Sequence, residues 1–270
     1  MAERRISGQG QIRIYLGKCF RLFQNEKQWK NFLSSFIIIV LISMVTGSEM
    51  FRSYSTTDKG AFAIVSACIW SGLFNSIQSI CRERAIIKRE YRTGLRISSY
   101  ILAHVIYEMF LCAVESLIVL VVTMLRNASH LPPHGLFLPA FLELYITIFL
   151  VTFCADMIAM LVSCIVKTEN SAMMIMPFVL VVQLVMSGVV FALEGVAELV
   201  SYLTASRWGV EAINSIARTD TTVDFQAAWA DAGDGGAGVL AMDWLVLLVF
   251  SGIYIVIAII MLRRVDKDER

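Results

Sequence analysis

Residues 81–99 read CRERAIIKREYRTGLRISS, a strongly charged run that lies directly between two long apolar segments. Membrane segments normally leave the bilayer through short neutral turns. This run instead has the pattern of a basic amphipathic helix. We therefore predict a helix at the membrane surface that serves as a docking site for another protein.

The composition is that of an integral membrane protein. Hydrophobic residues make up 57% of the chain and charged residues 17%, and the mean hydropathy is +0.70. Soluble domains contain about 25% charged residues. The composition therefore excludes a soluble enzyme or a nucleic-acid-binding domain, and it predicts an all-α membrane protein in contact with the lipid bilayer.

Apolar segments long enough to cross the bilayer occur six times. A helix that crosses roughly 30 Å of hydrocarbon needs about 20 predominantly apolar residues. Four intervals, 31–48, 60–81, 170–193 and 244–262, contain no Asp, Glu, Lys or Arg. The six predicted spans are about 31–49, 60–81, 98–125, 136–166, 170–193 and 243–262.

The basic residues predict the orientation, because Lys and Arg are retained on the cytoplasmic side of membranes. The two termini, the loop after the second span and the loop after the fourth carry 18 of the 23 basic residues. We therefore expect a multi-pass protein of the plasma or inner membrane with both termini in the cytoplasm. Residues 1–30 are predicted to form an amphipathic helix on the inner surface, since apolar residues from Ile12 to Phe23 recur at helical spacing among basic ones. A solvated basic tail is the alternative for this segment.

The segment between the fifth and sixth spans, 194–218, predicts two short amphipathic helices. Val196, Leu199, Val200 and Leu203 follow the three- and four-residue spacing of one helix face. These helices are too short to cross the bilayer and too apolar to lie free in water. We expect them on the external side, where they dip into the outer leaflet or cap the mouth of the bundle.

No metal or cofactor is expected on this chain. Residues 10–18 lack the first glycine of a phosphate-binding loop, where Ile12 stands, and Cys19 replaces its hydroxyl residue. The histidines at positions 104, 130 and 134 do not have metal-ligand spacing. None of the six cysteines lies in a predicted external loop, so we expect them to pack as small apolar residues rather than form disulfides.

Three stretches carry a family resemblance. The first is Arg82-Glu83-Arg84 through Glu90-Tyr91-Arg92-Thr93-Gly94, followed by Ser98-Ser99-Tyr100. The second is Met186-Ser187-Gly188-Val189-Val190, and the third is Ala197 to Leu203 followed by Ser206 to Ala212. In this order they resemble the coupling helix, the end of the fifth span and the external re-entrant helices of a type-2 ABC exporter transmembrane domain. The G subfamily of White-like half-transporters is the most similar.

The resemblance implies a permease built from residues 31–270 that moves a hydrophobic, amphipathic or lipid-linked substrate outward by alternating access. No ATPase precedes the membrane domain, so we expect two separate ABC ATPase subunits, which bind ATP and Mg. A second copy of this chain or a homologous permease is expected to complete the pathway. The absence of external cysteines and of the re-entrant tryptophans suggests a prokaryotic relative.

The resemblance and the helical spacing together give the candidate site residues. Coupling to the ATPase is assigned to helix 82–94, through Arg82, Glu83, Arg84, Ile87, Lys88, Glu90, Tyr91 and Gly94. The substrate cavity is assigned to Trp70, Phe74 and Ile77 on the second span and to Phe178, Val182 and Met186 on the fifth. Such aromatic and thioether stripes suit an adaptable apolar wall, although they are also the ordinary surface of a membrane helix. Val189 and Val190 match the external gate of the family.

Ionisable residues occur within the predicted spans, where each costs roughly 2.5–3.5 kcal/mol on insertion scales. His104, Glu108 and Glu115 share one stripe of the third span, and Asp156 lies near the middle of the fourth. One interpretation is a proton relay, and Glu108 and Asp156 would then serve a proton-coupled secondary transporter. The other interpretation is a hydrogen-bond or ion-pair cluster inside the bundle. A membrane-embedded enzyme is a further alternative, but it would need acids or histidines gathered at one interface.

Overall fold

The computed structural model is all-helical over the residues that it describes, as the sequence predicts, and contains no strand in that part of the chain. The described residues are 8–25, 33, 37–38, 40–42, 44, 50–51, 54–126, 132, 134–191, 193–217 and 236–263. The predicted first span, 31–49, therefore lies mostly outside the described residues.

The helices whose bounds the structure gives are α1 (Gly8–Asn25), α2 (Tyr54–Ser76), α3 (Arg84–Arg92), α4 (Ile97–Arg126), α5 (Ala140–Ile165), α6 (Glu169–Val185), α7 (Val196–Ser201), α8 (Ala205–Ala217) and α9 (Ala237–Leu262). One 3-10 turn, Cys81–Glu83, leads directly into α3.

Among the described residues, four helical segments are long and apolar enough to cross a bilayer. They are α2 with its continuation to Arg92, α4, α5 and α9, which correspond to the predicted second, third, fourth and sixth spans. The helix at the fifth predicted span, α6, has 17 residues. At 1.5 Å per residue it is about 26 Å long, slightly less than the hydrocarbon core of about 30 Å. The count of six spans stays a prediction.

Two predicted spans end at other residues than predicted, and at one of these ends a side chain binds backbone groups. Glu143, which is fully buried near the start of α5, accepts the backbone N–H groups of Leu136, Phe137 and Leu138 at 3.0, 2.6 and 2.9 Å. These three residues therefore form a turn, and α5 begins only at Ala140. At the other predicted end, α2 stops at Ser76 and the chain passes through turns before α3.

The centre of the bundle is α5, which packs against α2, α4, α8 and α9. Gly72 allows the closest approach, because a Cβ atom there would lie 2.5 Å from the carbonyl oxygen of Thr152 and 3.0 Å from the backbone nitrogen of Asp156. The backbones of α2 and α5 are thus in direct contact. On α8, a Cβ at Gly209 would lie 2.6 Å from a methyl group of Val151, so α8 is seated equally closely on α5.

Candidate functional site

The coupling segment, residues 81–94, is held at one end of the bundle by α1 and α4. Lys18 Nζ on α1 lies 2.8 Å from Glu83 Oε2, and Tyr15 Oη donates a hydrogen bond to Glu90 Oε2 at 2.8 Å. From α4, Tyr100 Oη donates to Glu83 Oε2, also at 2.8 Å. Because burial and the nearby Glu90 carboxylate disfavour the phenolate, they raise the pKa of Tyr15 above its ordinary value.

The other anchor of the coupling segment is the end of α5. One guanidinium nitrogen of Arg84 donates to the carbonyl oxygens of Cys164 and Val166 at 2.9 and 3.0 Å. Ser163 Oγ accepts the backbone N–H groups of residues 80 and 81 at 3.0 Å each. A charged donor thus satisfies carbonyl groups that the helix end leaves unpaired. The coupling segment and α5 are therefore joined by four hydrogen bonds.

Gly94 reverses the chain between the coupling segment and α4. Its φ of +107° lies in the region that glycine adopts without steric cost. Gln11 of α1 fixes this turn, because its Nε2 donates to Gly94 O at 3.2 Å and its Oε1 accepts the N–H of Arg96 at 3.0 Å. Gly94 therefore ends the coupling segment, and α1 reaches both ends of that segment.

The apolar face of α3 points into the protein. Ile87 is fully buried and Tyr91 is half-buried against the same apolar cluster, whereas Ile86, Arg89 and Arg92 are exposed. The separation of apolar and basic faces that the sequence predicts is present. Ile87 positions the coupling segment, and the surface left for a partner is the exposed one.

The cavity residues predicted on α2 lie in two environments. Trp70 and Phe74 are half-buried and stack on each other, with ring centroids 5.5 Å apart and planes 23° apart. Ile77 is 1% exposed and belongs to the main apolar core. Trp70 and Phe74 are therefore partly accessible, whereas Ile77 is packed in the core and is not accessible.

The cavity residues predicted on α6 lie on an apolar face that nothing in the described part of the chain covers. Phe178 is 74% exposed, Val182 is 49% exposed and Met186 is half-buried. Beyond the end of α6, Val190 is 50% exposed and Val189 is half-buried. Phe178 and Val182 thus form a surface patch rather than the wall of a closed cavity in one chain.

The far end of α6 is bonded to α8 through a residue that sequence reasoning missed. Gln183, only 6% exposed, accepts the N–H of Ser206 on its Oε1 at 3.3 Å, while Ser206 Oγ donates to the Gln183 carbonyl oxygen. The guanidinium of Arg207 lies 3.8 Å from the ring centroid of Tyr202, which ties α8 to the residues after α7. A single glutamine in an apolar helix does not create a periodic pattern, so only the polarity of Gln183 distinguishes it in the sequence.

Asp156 belongs to a hydrogen-bond cluster inside the bundle, one of the two interpretations that its sequence position allowed. Ser76 Oγ on α2 donates to Asp156 Oδ1, and Cys112 Sγ on α4 donates to Asp156 Oδ2, both at 2.7 Å. Asp156 is fully buried. It therefore links three helices, and each of its oxygens has a donor.

Each of the two acids on α4 has one buried carboxylate oxygen without a hydrogen-bond partner, Oε2 of Glu108 and Oε1 of Glu115. Glu115 Oε2 accepts from Ser71 Oγ at 2.6 Å and from Asn75 Nδ2 at 2.9 Å. Glu108 is 2% exposed, and its Oε2 atom lacks a hydrogen-bond partner. His104, one turn before Glu108, has both ring nitrogens within 3.9 Å of the Cys19 sulfur.

Among the described residues, no group of three or more His, Cys, Asp or Glu side chains could hold a metal ion. All six cysteines are buried and free of disulfides.

Comparison with known proteins identifies a family and a relative. Residues 11–217 match the family model described as ABC-2 type transporter, well over half of the 270 residues. A stretch of 146 residues is 27% identical to the ABC transporter ATP-binding/permease protein Rv1747 of Mycobacterium tuberculosis. That match covers 53% of this chain but only 17% of the relative, so most of the relative has no counterpart in the match.

Proposed function

This chain belongs to the ABC-2 type transporter family, and we propose that it is the permease subunit of an ATP-driven exporter. Its substrate is hydrophobic, amphipathic or lipid-linked, and it moves outward by alternating access. The exposed apolar residues of α6 and the stacked rings of α2 support this substrate class. In this proposal both termini lie in the cytoplasm, which the distribution of 18 of 23 basic residues supports.

Two ABC ATPase subunits bind the coupling segments of two permease chains, and these subunits carry ATP and Mg. The observation that supports this step is the contrast within residues 81–94. The segment is bonded to α1, α4 and α5, yet Arg89 and Arg92 remain exposed. A rigidly held segment with an exposed basic face can transmit a push from a partner to three helices at once. The name of the Mycobacterium relative joins an ATP-binding and a permease function, which agrees with such a pairing.

Co-purification tests the ATPase partner. The wild-type chain is extracted from its native host into lipid nanodiscs, and the proteins that accompany it are identified by mass spectrometry. We expect an ATP-binding-cassette subunit with the wild type, and its loss in the double variant Arg89→Glu, Arg92→Glu. Arg126→Glu is the matched control, because Arg126 is exposed at the opposite end of α4. Absence of any such subunit from the wild-type sample would contradict the proposal.

A second copy of this chain, or a homologous permease, faces α6 and completes the pathway with the gate residues Val189 and Val190. Its support is the uncovered face on which Phe178 is 74% and Val182 is 49% exposed. Phe178→Cys should give an oxidised dimer, because two copies of this face meet at the two-fold axis. Leu248→Cys, on α9 and 55% exposed, is the control that should stay monomeric. Equal cross-linking of both variants would count against this arrangement.

The proton-coupled alternative is not favoured. Membership of an ABC transporter family supplies a different source of energy. In addition, both oxygens of Asp156 accept hydrogen bonds from side chains of the bundle, as expected for a residue that joins helices.

A further inference from the structure

A cavity of about 180 Å³ lies between α1, α2, α4 and the coupling segment. Phe23 of α1, Phe74 of α2 and Leu111 of α4 supply apolar side chains to its lining. Asn75, Arg82 and Glu108 supply polar and charged ones. The cavity is thus formed within one chain, and it is separate from the uncovered face of α6.

Glu108 is the lining residue that indicates a bound ligand. The side chain is 2% exposed, and its Oε2 atom has no hydrogen-bond partner. Of the neighbouring acids, Asp156 receives a hydrogen bond on each oxygen, and Glu115 receives two on Oε2 while its Oε1 also lacks a partner; neither of them lines the cavity. Burying a carboxylate oxygen without a hydrogen-bond donor costs free energy, and a ligand that supplies a donor would reduce that cost.

The charges of the lining favour a cation at Glu108. Glu83, the other acid of the lining, already accepts from Lys18 and Tyr100. Arg82 is exposed and lies in the coupling segment, so it belongs to the mouth of the cavity rather than to its buried end. An ammonium group supplies both the positive charge and the donors that the Glu108 carboxylate lacks.

The size of the cavity limits the rest of the ligand. A dry cavity of about 150 Å³ accommodates benzene, so about 180 Å³ leaves room for one ring with a short arm. We propose that this cavity binds a small amphipathic amine, with its ring or short alkyl chain against Phe23, Phe74 and Leu111 and its ammonium on Glu108. This site lies within a single chain and requires neither an ATPase nor a second permease. It shares Phe74 with the proposed substrate cavity, but binding here needs no transport, so the two proposals can fail or stand independently.

The test compares a charged ligand with its neutral counterpart. The purified full chain in zwitterionic nanodiscs is titrated at pH 7 with 2-phenylethylamine and with 2-phenylethanol, and binding is followed by calorimetry with empty nanodiscs subtracted. We expect saturable binding of the amine at one site per chain and at least tenfold weaker binding of the alcohol. Glu108→Gln should weaken amine binding at least tenfold and leave alcohol binding unchanged. Asp243→Asn, at a buried acid of α9 outside the cavity, should leave both affinities unchanged.

A second variant keeps the test decisive if Glu108→Gln does not fold. Leu111→Trp fills the cavity without altering its charge, and it should abolish binding of both compounds while the protein still elutes as a single species. Saturable amine binding that persists in this variant overturns the proposed site. Amine affinity that Glu108→Gln leaves intact, or equal affinity for the amine and the alcohol, overturns the ion pair.

Discussion

Lys18 and Glu83, 65 positions apart in the sequence, form an ion pair with 2.8 Å between Nζ and Oε2. The lysine side chain is 30% exposed and the glutamate side chain 12%, so the pair is partly shielded from water. It joins α1 to the first turn of the coupling segment. The position of the coupling segment therefore depends on a helix that precedes the membrane spans.

A double-mutant cycle with Lys18→Met and Glu83→Gln should reveal this dependence. Exposed pairs contribute about 0–1 kcal/mol, whereas breaking a buried pair costs about 3–5 kcal/mol. For this partly shielded pair we expect a coupling energy of about 1–2 kcal/mol, measured by thermal unfolding in detergent. Lys18→Met combined with Glu169→Gln, at the exposed start of α6, should show additive effects. Additivity in the first cycle would mean that the pair does not stabilise the protein.

The raised pKa of Tyr15 predicts a loss of stability at alkaline pH. An unfolded tyrosine ionises near pH 10, whereas the folded one keeps its proton to higher pH because of burial and Glu90. Above about pH 10 the unfolded chain therefore holds fewer protons, and stability falls as the pH rises through the folded pKa. The stability advantage of the wild type over Tyr15→Phe should shrink between pH 9 and 11 and be constant below pH 9. A difference that does not change with pH would contradict the hydrogen bond to Glu90.

Gly72→Ala should push α2 away from α5. The new methyl group would lie 2.5 Å from the Thr152 carbonyl oxygen, a backbone atom that can move only with its helix. Overpacking of this kind costs about 1–3 kcal/mol, which thermal unfolding in detergent would show as a lower Tm. Gly252→Ala on α9 is the matched control, since a Cβ at Gly252 has no atom within 4 Å. We expect the control to be neutral or slightly stabilising, because alanine favours helix.

Ser163→Ala should loosen the junction between α5 and the coupling segment. It removes the acceptor of two buried backbone N–H groups, at residues 80 and 81. Leaving a buried donor unpaired costs about 1–3 kcal/mol. Ser66→Ala is the control, since its hydroxyl only donates to the Phe62 carbonyl one turn earlier in its own helix. Hydrogen exchange should rise at residues 80 and 81 in Ser163→Ala alone; equal exchange in both variants would contradict the role of Ser163.

The sequence predicted the helices best where charges mark their ends. The predicted span 98–125 and the observed α4, Ile97–Arg126, agree within one residue at each end, because Arg96 and Arg126 flank a continuous apolar run. The span predicted from residue 136 begins as a helix only at Ala140. That difference arises from the Glu143 carboxylate, which accepts three backbone N–H groups in the turn before the helix. A hydropathy pattern does not report such hydrogen bonds.

The sequence indicated the types and positions of the site residues, but not which of them lie next to each other in the fold. Periodicity separated the apolar and basic faces of α3, yet it could not show that Ile87 points inward, because either face of an isolated amphipathic helix can meet a partner. Asp156 and Ser76 are 80 positions apart, and only the packing of α2 on α5 brings them to 2.7 Å. The cavity at Glu108 depends in the same way on four segments that are distant in sequence.

The two hydrogen bonds of Arg84 also set an order of assembly during synthesis. Their acceptors, the carbonyl groups of Cys164 and Val166, are 80 and 82 residues downstream. The ribosome must therefore translate the whole of α4 and α5 before the coupling segment can reach its final position. A nascent chain can dock α1 early, but it presents a finished surface to a partner only after α5 has entered the membrane.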